Sequence, residues 1–345
     1  MRTLLLLWSF LFLFLRWTTA QPPAGYYDAA RDLTGEDLKS ALHEIIKGHT
    51  EYPYTSSSTD VWDILKETDC DTTDATHVIL FYTGWSVDAA QEYNNGEGWN
   101  REHIWAKSRG DFGTAPGPGT DIHHLRPADI SVNSARSNRW FDEADEPYYD
   151  DGINTGCYTS STRWVWEPRD AVKGDVARMI FYMATRYEGE NGEPDLEMID
   201  YIPDDRYTTD PIHALESTLL KWHKEDPVDN FERHRNEVIY SYQHNRNPFI
   251  DHPEYAALIW GSPDAVSHTG AKISFTVYPN PARDYVLVDK PDDYLVSLHT
   301  IIGTSLLSTT DNLLRLDDTD SGIYILIIRD RNGDPIVSQR LVIRK

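Results

Sequence analysis

Between Trp99 and Arg139 the chain concentrates a carboxylate, imidazoles, amides and arginines in three short runs. The first is Trp99-Asn100-Arg101-Glu102-His103-Ile104-Trp105-Ala106-Lys107-Ser108-Arg109-Gly110. After a Gly/Pro-rich loop comes Thr120-Asp121-Ile122-His123-His124-Leu125-Arg126-Pro127-Ala128-Asp129, and then Ile130-Ser131-Val132-Asn133-Ser134-Ala135-Arg136-Ser137-Asn138-Arg139. Hydrolysis of a phosphodiester needs a base to take a proton from water, a cation to neutralise the phosphate, and donors for its non-reacting oxygens. Histidine suits the first task because imidazole titrates near neutrality. A carboxylate and an amide oxygen suit a hard cation such as Mg²⁺, which keeps several waters and accepts substrate phosphate as a further ligand. Arginine suits the third, since its fork can grip two oxygens at once.

These side chains need a frame. The runs read as strand, loop, strand, helix, with Asp129 near the helix N-cap and Asn133, Arg136 and Ser137 on one helix face. Adjacent residues of a regular strand point to opposite faces. Glu102 and His103 can therefore reach one phosphate only if the chain twists or leaves strand geometry there. Elsewhere, Thr34-Gly35-Glu36-Asp37 predicts a capped helix start, with Leu38, Ala41, Leu42, Ile45 and Ile46 at helical spacing. Val78 to Tyr82 predicts a strand closed by Thr83-Gly84. Asp175 to Tyr187 predicts a helix with the core stripe Val176, Met179, Ile180 and Met183, and Gly189 past its end. His43-Glu44-Ile45-Ile46-Lys47-Gly48-His49 imitates a zinc-binding HExxH and fails, because Lys47 stands where the second histidine should be.

Past Trp260 the pattern changes. Gly261 to Gly270 reads as a linker. Strand-like runs follow at Ile273–Tyr278, Tyr285–Val288, Tyr294–Leu298 and Ile323–Ile328, and Asn332-Gly333 signals a hairpin. The expected fold class is α+β, a mainly helical domain over residues 21–260, the linker 261–270, and a small β-sandwich over 271–345.

Composition sets the setting. Arg2, the apolar run Leu4 to Leu15 and the small residues Thr18-Thr19-Ala20 form a signal-peptide pattern over residues 1–20. That run is shorter than a membrane span needs, and no later segment is long and apolar enough to cross a bilayer, so no stable membrane insertion is expected. Cys70 and Cys157 both lie in the exported part, and an even pair outside the cytoplasm predicts one disulfide. The net charge of −24 argues against a nucleic-acid partner taken alone. From Trp99 to Arg139, however, six basic residues (Arg101, Lys107, Arg109, Arg126, Arg136, Arg139) face four acidic ones (Glu102, Asp111, Asp121, Asp129). Phosphate recognition would then be focused rather than spread over a face.

The three runs, together with Glu167-Pro168-Arg169, Lys173-Gly174-Asp175-Val176-Ala177-Arg178 and Asn245-Arg246-Asn247-Pro248-Phe249, resemble the bacterial endonuclease I family within the His-Me finger (ββα-metal) superfamily. The resemblance spans most of residues ~35–260. It implies a ββα-metal motif and a secreted, metal-dependent nuclease that cuts DNA, with RNA open as a second substrate, and with little base preference. It assigns water activation to His103, the metal to Glu102 and Asn133, and a phosphate-steadying role to an arginine, for which Arg109 is the candidate. Arg101, His124, Arg136 and Asn138 are expected at the substrate. Mg²⁺ is the expected ion, with Ca²⁺ or Mn²⁺ as alternatives. Ala106 departs from the family, where many members carry proline, and puts loop shape in doubt.

The tail has its own resemblance. Val277-Tyr278-Pro279-Asn280-Pro281-Ala282, Ser321-Gly322-Ile323-Tyr324 and the closing Arg344-Lys345 are similar to the C-terminal sorting domain of type IX secretion, which implies export by that machinery to the cell surface or beyond. A carbohydrate- or protein-binding β-module is the alternative for the tail. For the whole chain, two rivals stay open: a zinc hydrolase of another ester, using His103, His123 and His124, and a non-enzymatic secreted binding module. Plasmid cleavage with and without chelators separates all three readings.

Overall fold

The computed structural model describes residues 21–261 and, beyond them, 276–278, 282–290, 294–300, 304–317, 319–329 and 335–345. The expected signal peptide, the linker after Gly261 and the Asn332-Gly333 turn lie outside the described residues. The chain divides into two compact units, one built on residues 41–252 with the segment up to Arg31, the other on 253–345 with residues 32–40.

Residues 21–261 combine eight α-helices with short strands. The order begins α1 (Gly35–Ile46), α2 (Val61–Thr68), β1 (Cys70–Asp71), β2 (Asp74–Ile79), β3 (Ser86–Asp88), β4 (Trp99–His103), β5 (Leu125–Asp129) and α3 (Ile130–Arg136). It continues β6 (Trp140–Phe141), β7 (Glu146–Asp150), β8 (Ile153–Thr159), β9 (Val165–Glu167), α4 (Lys173–Arg186), β10 (Glu197–Ile199), β11 (Ile212–Leu215), α5 (Glu216–Glu225), α6 (Asn230–Gln243), α7 (Pro248–Asp251) and α8 (Glu254–Ile259). The domain is mixed α/β, its helices interleaved with several small sheets. Most of the strands are too short to show an alternating pattern in sequence. They form small sheets: β1-β2-β3, β4-β5, β10-β11, and the four-stranded β6-β9-β8-β7.

The predicted stripe of α4 is buried, and so is almost every other residue of that helix. A helix enclosed on all sides is a core element, and its charged residues must therefore find partners. Asp175 and Arg178 do so in a buried ionic network. Asp69, at the end of α2, accepts from Arg126 Nε at 2.7 Å and from Arg235 at 3.0 Å. Arg126 also reaches Asp175 at 3.1 Å, and Arg178 grips Glu232 through two bonds of 2.5 and 2.7 Å. The network ties α4, α6 and the strand β5 together from inside. Beside it, Val61, Ile64 and Leu65 of α2 pack on Val78, Trp99, Leu125 and Ile239.

The two cysteines correct a further expectation. Cys70 on β1 and Cys157 on β8 are free thiols in different sheets. Each is engaged with backbone, Cys70 Sγ with Asp71 O at 3.6 Å and Cys157 Sγ with Tyr82 O at 3.3 Å. An even count does not bring two sulfurs to the separation that a bridge requires.

In the second unit β12 (Thr276–Tyr278), β13 (Tyr285–Asp289) and β16 (Leu313–Arg315) form one sheet. The strands β15 (Ser305–Thr309), β14 (Leu295–Thr300), β17 (Gly322–Arg329) and β18 (Pro335–Ile343) form the other, in that spatial order. Val286, Val288 and Leu314 of the first sheet share one core with Val296, Leu298, Leu326 and Ile328 of the second. This is the packing of a small sandwich.

Truncating one member of a buried ion pair leaves its partner's charge uncompensated, at a cost of ~3–5 kcal/mol. Asp69→Ala should therefore lower unfolding free energy in urea by about that amount. A loss under ~1 kcal/mol would show that Arg126 and Arg235 are hydrated rather than dependent on Asp69.

Candidate active site

The antiparallel pair β4-β5 places Glu102 opposite Arg126 and His103 opposite Leu125. Asp129 ends β5 and caps α3, its carboxylate accepting from Ser131 N and Val132 N. Such a cap contributes about 1 kcal/mol and fixes where the strand turns into the helix. Asn133 then faces β4, where its Nδ2 donates to Asn100 Oδ1 at 2.8 Å. One turn later Arg136 is buried, and donates to His103 O at 3.1 Å and Ile104 O at 2.6 Å. Its guanidinium also pairs with Glu102 Oε1 at 3.2 Å and meets His213 Nε2 at 3.0 Å.

Glu102, His103 and Asn133 border one cleft of about 750 Å³, together with Arg101, Arg136 and Asn138. A second cavity, of about 780 Å³, lies around Lys47, Arg186, Glu190 and Glu193, and none of the three residues lines it. Although adjacent on β4, Glu102 and His103 both border the first cleft, Glu102 engaged with Tyr82 and Arg136 and His103 with Tyr54 and the Gly119 carbonyl.

Glu102 is buried and its Oε1 accepts from Tyr82 Oη at 2.7 Å. Burial raises its pKa, and Arg136 and Tyr82 work against that rise by stabilising the anion. His103 Nε2 lies 3.0 Å from Gly119 O. A carbonyl only accepts, so the neutral ring carries its proton on Nε2 and leaves the lone pair on Nδ1. The ring is held between Tyr54, stacked at 5.8 Å, and the edge of His124 at 5.5 Å. Burial first, and then the charge of a protonated His124, push the His103 pKa well below 6.5. Gly119 is required sterically, because a Cβ there would lie 2.7 Å from Gly113 O and 2.8 Å from Ala115 O.

The other expected site residues divide. Arg101 lines the cleft, but its guanidinium lies 3.4 Å from the Tyr54 ring centroid and 4.0 Å from that of Trp62, and it donates to Tyr54 O and Thr55 Oγ1. Asn138 is on the wall, held by Trp164 Nε1 at 2.8 Å. His124 stands behind His103 with Nε2 on Pro118 O at 2.7 Å. Arg109 is not on the wall. It is fully buried over Trp140 and donates to Thr208 O, Asn138 O and Arg206 O at 2.9, 2.9 and 3.1 Å. The imidazoles of His103, His123 and His124 turn to three different carbonyls, those of Gly119, Asn245 and Pro118. They do not converge on one ion. Tyr82, Tyr54 and the carbonyl of Gly119 carry no local motif. Only the Gly/Pro-rich loop, needed to bring a bare carbonyl under an imidazole, was a usable signal.

The turn before β5 is held by Asp121. Its carboxylate accepts from Tyr182, Tyr187 and Gln243 at 2.8, 2.9 and 3.0 Å. Burial opposes its charge, yet His49, His123 and the Gln243 amide hold it below the usual carboxylate range.

A β-β-α unit thus presents a carboxylate, a tautomerically fixed histidine and an amide to one cleft, groups with the chemistry for hydrolysis. Comparison with known proteins names the class. Residues 34–254 match the family model of Endonuclease I, and residues 276–344 match the secretion system C-terminal sorting domain. The chain is 55% identical over 236 residues to an extracellular ribonuclease of Bacillus subtilis (strain 168), covering 68% of this chain and 78% of that protein. It is 53% identical over 242 residues to an extracellular ribonuclease of Bacillus amyloliquefaciens, with the same coverage. To an extracellular deoxyribonuclease of Aeromonas hydrophila it is 29% identical over 132 residues, 38% of this chain and 49% of that one. The chain belongs to the Endonuclease I family. It is a secreted nuclease with a sorting domain of the type IX kind at its C-terminus. No helix among the described residues is long and apolar enough to cross a membrane.

The buried histidines make stability depend on pH. Burial, opposed by Asp121, lowers His123 to about 3 and His124 to about 4, from 6.5. Below 6.5 the unfolded chain takes up protons that the folded rings refuse. Stability is therefore full above that value and falls as pH drops towards the folded values, by ~1.4 kcal/mol per unit for each ring. Carboxylates such as Asp121 contribute their own loss only below about pH 4. Urea unfolding at pH 5 should show about 4 kcal/mol less stability than at pH 7 from these two rings. Equal midpoints with equal slopes would show that the rings are protonated in the fold.

Proposed function

We propose that this nuclease hydrolyses phosphodiester bonds in RNA and DNA with little base preference, His103 taking the proton of the attacking water. The observation that carries this reading is the bond from His103 Nε2 to Gly119 O, which leaves Nδ1 as a base, with Glu102 and Asn133 on the same cleft. The depressed pKa keeps that base neutral at physiological pH. The names of the Bacillus and Aeromonas relatives support RNA and DNA as substrates. On this reading β4, β5 and α3 are the ββα-metal motif of a His-Me finger.

Family members generally depend on a divalent cation. The donor set fits one. Tyr82 and Arg136 hold Glu102 Oε1, which leaves Oε2 as the oxygen to offer. Asn133 spends its amide nitrogen on Asn100, which leaves its carbonyl oxygen. A carboxylate and an amide oxygen suit Mg²⁺, with Ca²⁺ or Mn²⁺ as alternatives. When bound, the cation neutralises the scissile phosphate and the leaving oxygen. Arg136 acts by holding Glu102 in place, and Tyr54 and Gly119 by holding His103.

The domain limits stay as proposed: signal peptide to residue 20, nuclease domain to 260, linker to 270, and sorting domain beyond. A chain ending near Ser262 should fold and cut nucleic acid in vitro, yet fail to leave a cell that exports the full chain. Loss of cleavage in vitro would place the tail within the catalytic unit.

The roles of Glu102 and His103 are separable. His103→Ala removes the proton acceptor and keeps both ligands, so cleavage should fall ~10²–10⁴-fold with cation affinity little changed. Glu102→Ala removes the one anionic ligand, so its defect should appear as weakened cation binding, partly relieved at higher Mg²⁺ or Mn²⁺. Calorimetric titration of both variants, with rates at rising cation, makes the comparison. If His103→Ala loses the cation and Glu102→Ala keeps it, the assigned roles are reversed.

A further inference from the structure

We propose that Arg139, Trp164, Arg206 and Tyr207 form a subsite for a single-stranded nucleic-acid segment flanking the scissile phosphate. The proposal rests on the nuclease reading for its choice of polymer. Four aromatic and cationic side chains meet just past Asn138, at the rim of the cleft. The Arg139 guanidinium lies 3.8 Å from the Trp164 ring centroid, and that of Arg206 lies 4.9 Å from Trp164 and 4.7 Å from Tyr207. Trp164 is tied to the cleft wall by its bond to Asn138 Oδ1. The loop that carries Arg206 is tied there too. Buried Arg109 donates to Asn138 O and to the carbonyls of Arg206 and Thr208, so one guanidinium clamps the loop to the rim.

The two guanidinium charges of this cluster have aromatic and neutral partners rather than carboxylates. Arg139 uses Nε on Ala135 O at 3.1 Å, and Arg206 donates to the Tyr207 hydroxyl. Among the described residues neither makes an ion pair with a carboxylate. Asp204 and Asp205 directly precede Arg206 and are exposed, but neither pairs with it; Asp205 accepts from the backbone N–H of Tyr207 at 2.9 Å. In a chain of net charge −24, two unpaired arginines side by side repel one another with ample carboxylates available elsewhere. Arg206 is exposed and packs only on Trp164 and Tyr207 among the aromatic rings. A bridging anion would relieve the repulsion, and phosphates of a polynucleotide supply a row of them.

The ring and guanidinium planes select the form of the polymer. Tyr207 is 68% exposed. A base can lie against such a face only when it is unstacked, which a duplex forbids and a single strand permits. Stacking of this kind tolerates any base, in keeping with low sequence preference.

Binding to the full chain, with EDTA present so that nothing is cut, tests the proposal. The probes are a fluorescent single-stranded 12-mer, a dinucleotide and a 12-bp duplex. Each phosphate contact contributes ~0.7 to the log–log salt slope of single-strand binding. The double variant Arg139→Gln with Arg206→Gln should flatten the 12-mer slope by ~1.4, and the dinucleotide, too short to span both sites, should lose less affinity than the 12-mer. Tyr207→Ala should weaken the 12-mer about fivefold or more. Arg206→Lys, which keeps the charge on the exposed loop, should retain the slope. A wild-type slope in the double variant, or an equal loss on 12-mer and duplex, would overturn the subsite. Cleavage by the unaltered protein with Mg²⁺ is read separately. Its absence would strike the nuclease reading, and its presence beside an unchanged slope would strike the subsite alone.

Discussion

The guanidinium of Arg136 is the contact on which the site depends. It joins the last turn of α3 to the end of β4 through the carbonyls of His103 and Ile104, and it faces the carboxylate of Glu102. A buried arginine is tolerable only beside a compensating anion, and a buried glutamate only beside a cation. Each therefore makes the other's burial possible. The pairing favours ionised Glu102, the form that can bind a cation. It also sets the register of helix on strand, so that Asn133, one turn earlier, arrives beside Asn100. His213 completes the arrangement. Burial and the neighbouring arginines Arg136 and Arg109 keep it uncharged, so it can accept from Arg136 rather than repel it.

The same logic holds β5 from behind. Arg126 sits opposite Glu102 in the ladder and is anchored by Asp69 and Asp175. Asp121 anchors the turn that leads into the strand. Apolar packing would fill this space, but it tolerates small slides between elements. A charged hydrogen bond has one geometry, and a misplaced partner leaves a buried group unsatisfied. Of the motifs distant in sequence from the chemistry, Asp175 and Arg178 after Lys173 belong to the first buried network, and Asn245 donates to Tyr182, which bonds Asp121; Lys173 and Glu167 pair with each other at the half-buried edge.

What the sequence made legible was local. The strand–loop–strand–helix order, the cap at Asp129, the core helix after Asp170 and the strands of the tail each depend on neighbours a few residues apart. What stayed hidden was settled at long range. Tyr82 reaches Glu102 across 20 positions, and the group under His103 is a backbone carbonyl, which leaves no residue type to read. The thiols looked like a pair because counting ignores position, and they lie in separate sheets. Arg109 looked like a phosphate ligand because it followed the motif closely, and the chain turns it inwards onto Trp140.

The local charge balance shows how an expectation can rest on residues the fold has already used. Six basic residues against four acidic ones between Trp99 and Arg139 pointed to a phosphate site within an acidic chain. Three of the six, Arg109, Arg126 and Arg136, are buried and committed to carbonyls or carboxylates of the protein. Two of the four acids are equally committed, Asp121 to tyrosines and Asp129 to the start of α3. Charge that the fold has already satisfied attracts no substrate. What remains of the six is Arg101 and Lys107 on the cleft and Arg139 beyond Asn138, joined there by Arg206, none of them paired with a carboxylate among the described residues. A formal total of −24 is compatible with a polyanionic substrate for the same reason. Screening confines exposed charges to about 8 Å at physiological salt, so distant carboxylates hardly oppose a few well-placed cations.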